Sequence, residues 1–230
     1  MGMHKSIERD PLLAGFYTSS DAVRLLRIAN TAKVRGWLNG WQNSASGPII
    51  RRDFDDGRTI SFLDLMELKF VETFSQHVSA MTLRKAAQAA RLEWKTTHPF
   101  AMNGPKYVTD RRRIIAQAAA AEGDTASYDM ATGQLEMWSV IEASVVKGVV
   151  FDPKSQLARA WRPSEVEFPE IIVDPRAAFG QPSLDEFGIP TATLFRAWKA
   201  EGSIGSVARW FRVPDSSVAS AVNFEISLAH

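Results

Sequence analysis

The sequence predicts an α+β fold that is mainly helical, and three observations carry that expectation. Apolar residues recur at helical spacing in the segments 22–38, 62–74, 82–94 and 191–228. Short β-branched runs beside Gly, Pro or Asp turns are few. A pair of short helices around a tight break occurs twice, once near each end. Together these give an N-terminal winged helix-turn-helix, a central β-containing segment and a C-terminal helix-turn-helix-like domain. Pro and Gly clusters at His98-Pro99, Asn103-Gly104-Pro105, Arg162-Pro163 and Phe168-Pro169 set the expected boundaries, giving domains 1–99, 100–168 and 169–230.

The first helix is opened by Thr18-Ser19-Ser20-Asp21, whose hydroxyls and carboxylate suit a helix cap, and carries Ala22, Val23, Leu25 and Leu26. After a break at Arg27–Asn30 a second helix places Val34, Trp37 and Leu38 at i, i+3, i+4, and Asn39-Gly40 ends it. Pro48 to Phe54 reads as a strand, Asp55-Asp56-Gly57 as a turn and Arg58-Thr59-Ile60 as a returning strand, a small basic wing. Ser61 opens an amphipathic helix with Phe62, Leu63, Leu65, Met66, Leu68, Phe70, Val71 and Phe74, and an alanine-rich helix follows from Thr82 to Trp94. Both helices, and the terminal domain, are candidates for a dimer seam.

The middle region is less patterned. Lys106 to Ala121 fits a strand followed by a helix, or one long strand, because Ile114-Ile115 suits both. Tyr128 to Trp138 resembles a hairpin around Ala131-Thr132-Gly133, and Val145 to Phe151 a strand or a helix end. In the last region Ile171-Ile172-Val173 forms a strand before an Asp174-Pro175 turn. Helices then start at Thr191, after Ser203 and at Asp215, with Trp198, Trp210 and Phe211 expected in the core.

Composition narrows the chemistry. The chain has 230 residues, 45% of them hydrophobic and 23% charged, which is enough apolar material for real cores and argues against a disordered protein. It has no cysteine, which removes disulfides, thiolate catalysis, Fe–S clusters and thiolate zinc sites together. The most apolar stretch, Ile141 to Phe151, holds Glu142 and Lys147 and is too short to span a bilayer. With no signal-peptide pattern in the first fifteen residues, a cytoplasmic protein with no membrane association is expected. No Walker loop, nucleophile elbow or His-Glu-x-x-His is present, so no catalytic residues, cofactor or enzyme activity are expected. His4, His77, His98 and His230 stand apart in sequence without ligand spacing; His77 and His98 read as loop or surface residues, and no metal site is expected. Asp53, Asp55 and Asp56 read as a turn with a solvated acidic tip, with an acidic metal cluster as the sharper alternative.

The formal net charge of +1 averages unlike parts. From Tyr17 to Arg58 there are seven basic residues (Arg24, Arg27, Lys33, Arg35, Arg51, Arg52, Arg58) and four acids, a local excess of three. From Arg159 to His230 seven basic residues face nine acids, a balance of −2 that does not favour a DNA backbone. The second helix of a helix-turn-helix lies in the major groove with its first residues at the base edges. That assigns double-stranded DNA contacts to Asn30, Thr31, Lys33 and Arg35, and phosphate or minor-groove contacts to the wing residues Arg51, Arg52 and Arg58.

Tyr17-Thr18, Ala22, Arg24-Leu25-Leu26, Val34-Arg35 and Trp37-Leu38 resemble the opening of MerR-type winged helix-turn-helix domains. Ser61-Phe62-Leu63-Asp64-Leu65-Met66-Glu67-Leu68 resembles a segment of a bacterial group that carries this domain. Members of that group end in a small domain typical of VapB-type antitoxins. Ile172-Val173-Asp174-Pro175-Arg176, Phe179-Gly180-Gln181-Pro182, Gly188-Ile189-Pro190-Thr191, Ala200-Glu201-Gly202-Ser203 and Val207-Ala208-Arg209-Trp210-Phe211 match it, as do Val213-Pro214 and Phe224-Glu225. The resemblance covers about 80 residues at the start and about 60 at the end. It implies a transcriptional repressor that binds its own operator and acts as the antitoxin of a type II module, neutralising a PIN-like ribonuclease toxin. A homodimer follows from the two-fold symmetry of operators. The chain departs from the family pattern twice. Arg27-Ile28-Ala29-Asn30 stands where a glycine and one residue fewer are usual, and Gly36 stands where a basic residue is common.

Three other readings compete. One is a stand-alone MerR-like regulator whose middle region binds a small molecule, with Trp138, Tyr128 and Phe151 lining the pocket. A second is a protein-interaction module that does not touch DNA, and a third a hydrolytic enzyme with acidic side chains in a cleft. Metal sensing by thiolates, common among MerR-type proteins, is excluded by the missing cysteines.

Overall fold

The computed structural model describes residues 14–41 and 47–229; His4 and His230 lie outside them. The fold is α+β and mainly helical, with two small antiparallel sheets among the described residues. It forms two compact units, one of Tyr17–Trp161 and one of the chain from Arg162 onward with the segment ending at Phe16.

The first unit holds α1 (Ser19–Leu26), α2 (Thr31–Asn39), α3 (Phe62–Phe74), α4 (Ala80–Trp94), α5 (Pro105–Glu122), α6 (Thr125–Gly133) and α7 (Leu135–Val146). A short ladder of β1 (Val149–Phe151) and β2 (Ala158–Trp161) closes it. At its centre, α3 is opened by a capping box in which Ser61 and Asp64 satisfy each other's backbone N–H groups. The expected amphipathic helix is instead covered on nearly every side, with Asp64 and Glu67 buried beside Phe62, Leu65, Leu68 and Phe70. The reason is its position: α1, α7 and the 3-10 turn Pro99–Ala101 all pack against it. Phe70 stacks between Phe74 and Phe100 at centroid distances of 4.3 and 4.1 Å. α3 therefore has no open apolar face to serve as a dimer seam.

The middle region corrects the sequence reading. Residues 106–121 belong to one 18-residue helix, α5, started by Pro105 in the first turn and stopped by Gly123 in the left-handed conformation. Ile114-Ile115 sit on its buried face with Arg111, Ala118 and Ala119, so their β-branching reflects packing rather than a strand. The expected hairpin at Tyr128–Trp138 is two helices, α6 and α7, meeting at Gly133-Gln134. Asp124 decides the first of them by accepting the Ser127 N–H at 3.1 Å as a helix cap, and Met130, Ala131, Trp138, Ile141 and Val145 supply the buried faces. Val145 to Phe151 is both things expected of it, the end of α7 and the strand β1.

A buried ion pair ties these helices together. Arg111 Nη1 lies 3.0 and 3.1 Å from the two Glu142 oxygens, and Nη2 donates to the Met102 carbonyl at 2.6 Å. The guanidinium also lies over the Phe70 ring, 5.1 Å from its centroid.

The second unit pairs β3 (Ile171–Ile172) with β4 (Ser183–Leu184) and packs α8 (Thr191–Glu201), α9 (Ile204–Phe211) and α10 (Asp215–Ser227) together. Gly202 and Arg212, both left-handed, end α8 and α9, and Ser203 caps α9. Leu194, Val207, Val218, Ala221, Val222 and Phe224 form its core. The aromatic expectation fails at Trp210, which is 62% exposed, while Trp198 and Phe211 are half-buried. An eight-residue helix offers only one edge to its neighbours, here Val207-Ala208, and Trp210 falls outside it.

Candidate nucleic-acid interface

Local chemistry sets the register of α2. Arg27 ends α1 in the left-handed conformation (φ 54°, ψ 38°), at the start of the Arg27–Asn30 stretch. Ile28 then folds under the turn, 3% exposed, with its N–H on the Val23 carbonyl at 3.1 Å. Asn30 caps α2 by accepting the Lys33 N–H at 3.0 Å, which makes Thr31 its first residue. The longer turn thus holds one buried apolar plug and one cap.

Val34, Gly36, Trp37 and Leu38 face inward, leaving Ala32, Arg35 and Asn39 on one exposed stripe at helical spacing, with Ala29 exposed in the turn before the helix. Ala32 and Asn39 were not among the expected contact residues, although the i, i+3, i+7 pattern of 32, 35 and 39, complementary to the apolar positions, points to them. Gly36 has a packing reason: a Cβ there would run into the indole of Trp41. A basic side chain at 36 would therefore require Trp41 to move.

The seven sequence-predicted contact residues fall into two groups. Asn30, Lys33 and Arg52 are engaged within the protein. Lys33 Nζ lies 2.8 Å from Glu72 Oε2 on α3 and 4.9 Å from the centroid of the Trp37 ring. Arg52 donates to Asn39 Oδ1 at 2.8 Å and to the Thr59 carbonyl. Thr31 accepts from Arg35 at 2.9 Å, and Arg35, Arg51 and Arg58 are exposed. Arg51 and Arg58 make no side-chain ion pair or hydrogen bond to another described residue.

The wing is a loop rather than the expected hairpin. Ile49 and Ile50 give their N–H groups to the Trp37 carbonyl, and Ile60 pairs with Tyr17 at 2.9 and 2.8 Å. All three isoleucines are fully buried, so the core claims both limbs and no ladder forms between them. Arg52 bridges the limbs instead. At the tip, the Thr59 hydroxyl and the Arg58 and Thr59 N–H groups hold the Asp56 carboxyl down at about 2. Asp55 and Asp56 are exposed, as the solvated-tip reading expects.

Asp53 does otherwise. Its Oδ1 lies 2.8 Å from His98 Nε2, and His98 is completely buried rather than on the surface. His98 sits among residues from three chain segments, so no sequence spacing could reveal it. Its Nδ1 faces Asp64 Oδ1 at 3.8 Å and Glu67 Oε2 at 3.7 Å. Burial opposes the imidazolium, but Asp53 and Glu67 outweigh it and hold His98 up at about 9. Burial pushes the Asp64 carboxyl up to about 6, against the opposing hydrogen bond from Ser61. His77 is exposed, as expected.

The aromatic residues suggested for a small-molecule pocket do not converge. Trp138 is buried against Phe74 at 5.0 Å and Tyr128 is exposed. Of the three, Phe151 alone borders the shallow cleft lined by Met66, Lys69, Phe100 and Arg111. Among the described residues no helix is long and apolar enough to cross a membrane.

No protein-family model and no curated protein matches the chain. The crystal structure of Rv2018 from Mycobacterium tuberculosis is similar, with a TM-score of 0.65 at 19% sequence identity. The likeness covers 93% of this chain and 98% of that one. At this identity it concerns the fold alone.

Proposed function

We propose that the protein is a DNA-binding transcriptional repressor that acts as the antitoxin of a type II toxin–antitoxin module, neutralising a PIN-like ribonuclease toxin and regulating its own operon. The observation that carries the reading is the exposed face of α2. Asn30 fixes its register, Ala32 leaves it unobstructed, and Arg35 stands on it. Small residues let a helix approach base edges closely and can contact thymine methyls, while arginine reads guanine or phosphate. Exposed Arg51 and Arg58 on the following loop supply further phosphate contacts.

The antitoxin half of the reading rests on the resemblance of the C-terminal segment. The exposed Trp210 adds the kind of aromatic side chain that anchors protein interfaces. A homodimer matches two operator half-sites.

Footprinting on the DNA upstream of the protein's own reading frame tests the first half, with a protected two-fold repeat expected. Co-expression with a small PIN-like protein encoded next to it tests the second, with a stable complex and loss of ribonuclease activity expected. Absence of any protected site overturns the repressor assignment.

A further inference from the structure

Among the described residues, no other element covers the outer face of α7. Trp138, Ile141, Glu142 and Val145 turn inward, where α3 and α6 pack on the helix. Glu136, Val140, Ala143 and the C-cap residue Lys147 run along the opposite side at i, i+4, i+7 and i+11. All four are exposed, Val140 at 69%. Ser139 and Ser144, also exposed, flank the stripe, and the Ser139 hydroxyl is turned back onto the Leu135 carbonyl at 2.9 Å. The stripe is symmetric about its midpoint, between Ile141 and Glu142. Turned end for end, Glu136 exchanges places with Lys147, Ser139 with Ser144 and Val140 with Ala143.

We propose that α7 packs antiparallel against α7 of a second copy of this chain, on a two-fold axis level with Ile141-Glu142. Each Glu136 then meets Lys147 of the second copy, at the two ends of a contact about 16 Å long at 1.5 Å per residue. Val140 lies against Ala143 of the second copy, and Ser139 against its Ser144. Charge complementarity names both the occupant and its direction. The acid stands at the N-terminal end of the stripe and the base at the C-terminal end, so antiparallel pairing joins opposite charges and parallel pairing opposes like ones. Neither Glu136 nor Lys147 forms an ion pair with another described residue, so both charges are open to that contact. Small side chains at 139, 143 and 144 let the axes approach toward the short end of the usual range of about 8–10 Å. A self-complementary contact of this kind closes with two copies.

The inference gives the homodimer of the proposed reading its seam. Its test contains no DNA, so failure of the seam and failure of operator binding read out separately. Full-length protein is followed by sedimentation equilibrium from micromolar to millimolar concentration. A monomer–dimer equilibrium in the micromolar range is expected of the wild type, because one helix per copy makes a small interface. Glu136→Lys and Lys147→Glu, each alone, set like charges against each other at both ends, and each is expected to weaken self-association about tenfold or more. An equimolar mixture of the two variants pairs opposite charges again and is expected to dimerise about as tightly as the wild type. The double variant Glu136→Lys/Lys147→Glu is expected to do so by itself. Rescue in the mixture reads pairing across two copies, which a folding defect in either variant would not restore. A wild-type protein that stays monomeric throughout overturns the proposal. So does a dimer that both single variants form unchanged, or a mixture that associates no better than its components.

Discussion

Lys33 Nζ lies 2.8 Å from Glu72 Oε2, so the single lysine of α2 is turned back onto α3. A residue that sequence alone assigns to DNA is thereby a strut between two helices. Lys33→Ala should cost about 0.5–1 kcal/mol of stability, as expected of a partly exposed ion pair. Glu72→Gln should release the lysine and steepen the salt dependence of DNA binding by about one unit of slope. Chemical denaturation and salt-titrated binding check the two halves. A Glu72→Gln protein with the wild-type slope would show that Lys33 stands clear of the DNA.

The buried pair Arg111–Glu142 makes an asymmetric prediction. Glu142→Ala leaves a guanidinium that is 1% exposed without its counter-charge, at a cost of about 3–5 kcal/mol. The double variant Arg111→Met/Glu142→Leu should be clearly more stable than Glu142→Ala, because no buried charge remains. Urea unfolding of the three proteins measures this.

Lys69 gives a pH signature. Burial pulls its pKa down to about 8, while its ammonium donates to the Ser144 and Val145 carbonyls at the end of α7. Between pH 8 and 10.5 the unfolded chain therefore holds a proton that the folded protein has lost. Stability rises with pH across that window, by about 3 kcal/mol for this group, and the penalty is fully present below pH 8. Lys69→Met should lack the rise. The difference between the two proteins, followed by denaturation from pH 7 to 10.5, isolates it from other titrations.

Trp210 separates surface from core. Trp210→Ala should change stability by no more than about 0.5 kcal/mol, since its ring is mostly in water. A core tryptophan would cost about 3–5 kcal/mol. Partner binding is the property expected to suffer.

Legibility in the sequence followed the range of the interactions. The helices opened by Thr18, Asn30, Ser61 and Ser203 could be anticipated because each cap is made within three residues. Ile114-Ile115 and the Tyr128–Trp138 stretch misled because β-branched and aromatic residues there serve helix faces whose partners lie far along the chain. Ile49, Ile50 and Ile60 flank an Asp-Asp-Gly turn as hairpin strands would, yet the Trp37 and Tyr17 carbonyls take their backbone N–H groups. In the candidate interface Arg35, Arg51 and Arg58 stand exposed where basic chemistry suggested, whereas Lys33 and Arg52 are diverted by Glu72 and Asn39. His98 was unreadable for the same reason, its partners being 45, 34 and 31 residues away.

DNA reading is proposed for the α2 face and the wing arginines. Its most direct measurement is binding to the protein's own upstream DNA over a range of salt concentrations, for the wild type and for Arg35→Ala/Arg51→Ala/Arg58→Ala. Specific wild-type binding that weakens steeply with salt is expected. In the variant, operator affinity should fall by at least a hundredfold and the slope should drop by about two to three, with the thermal midpoint retained. Equal affinity and equal slope for the two proteins would contradict it.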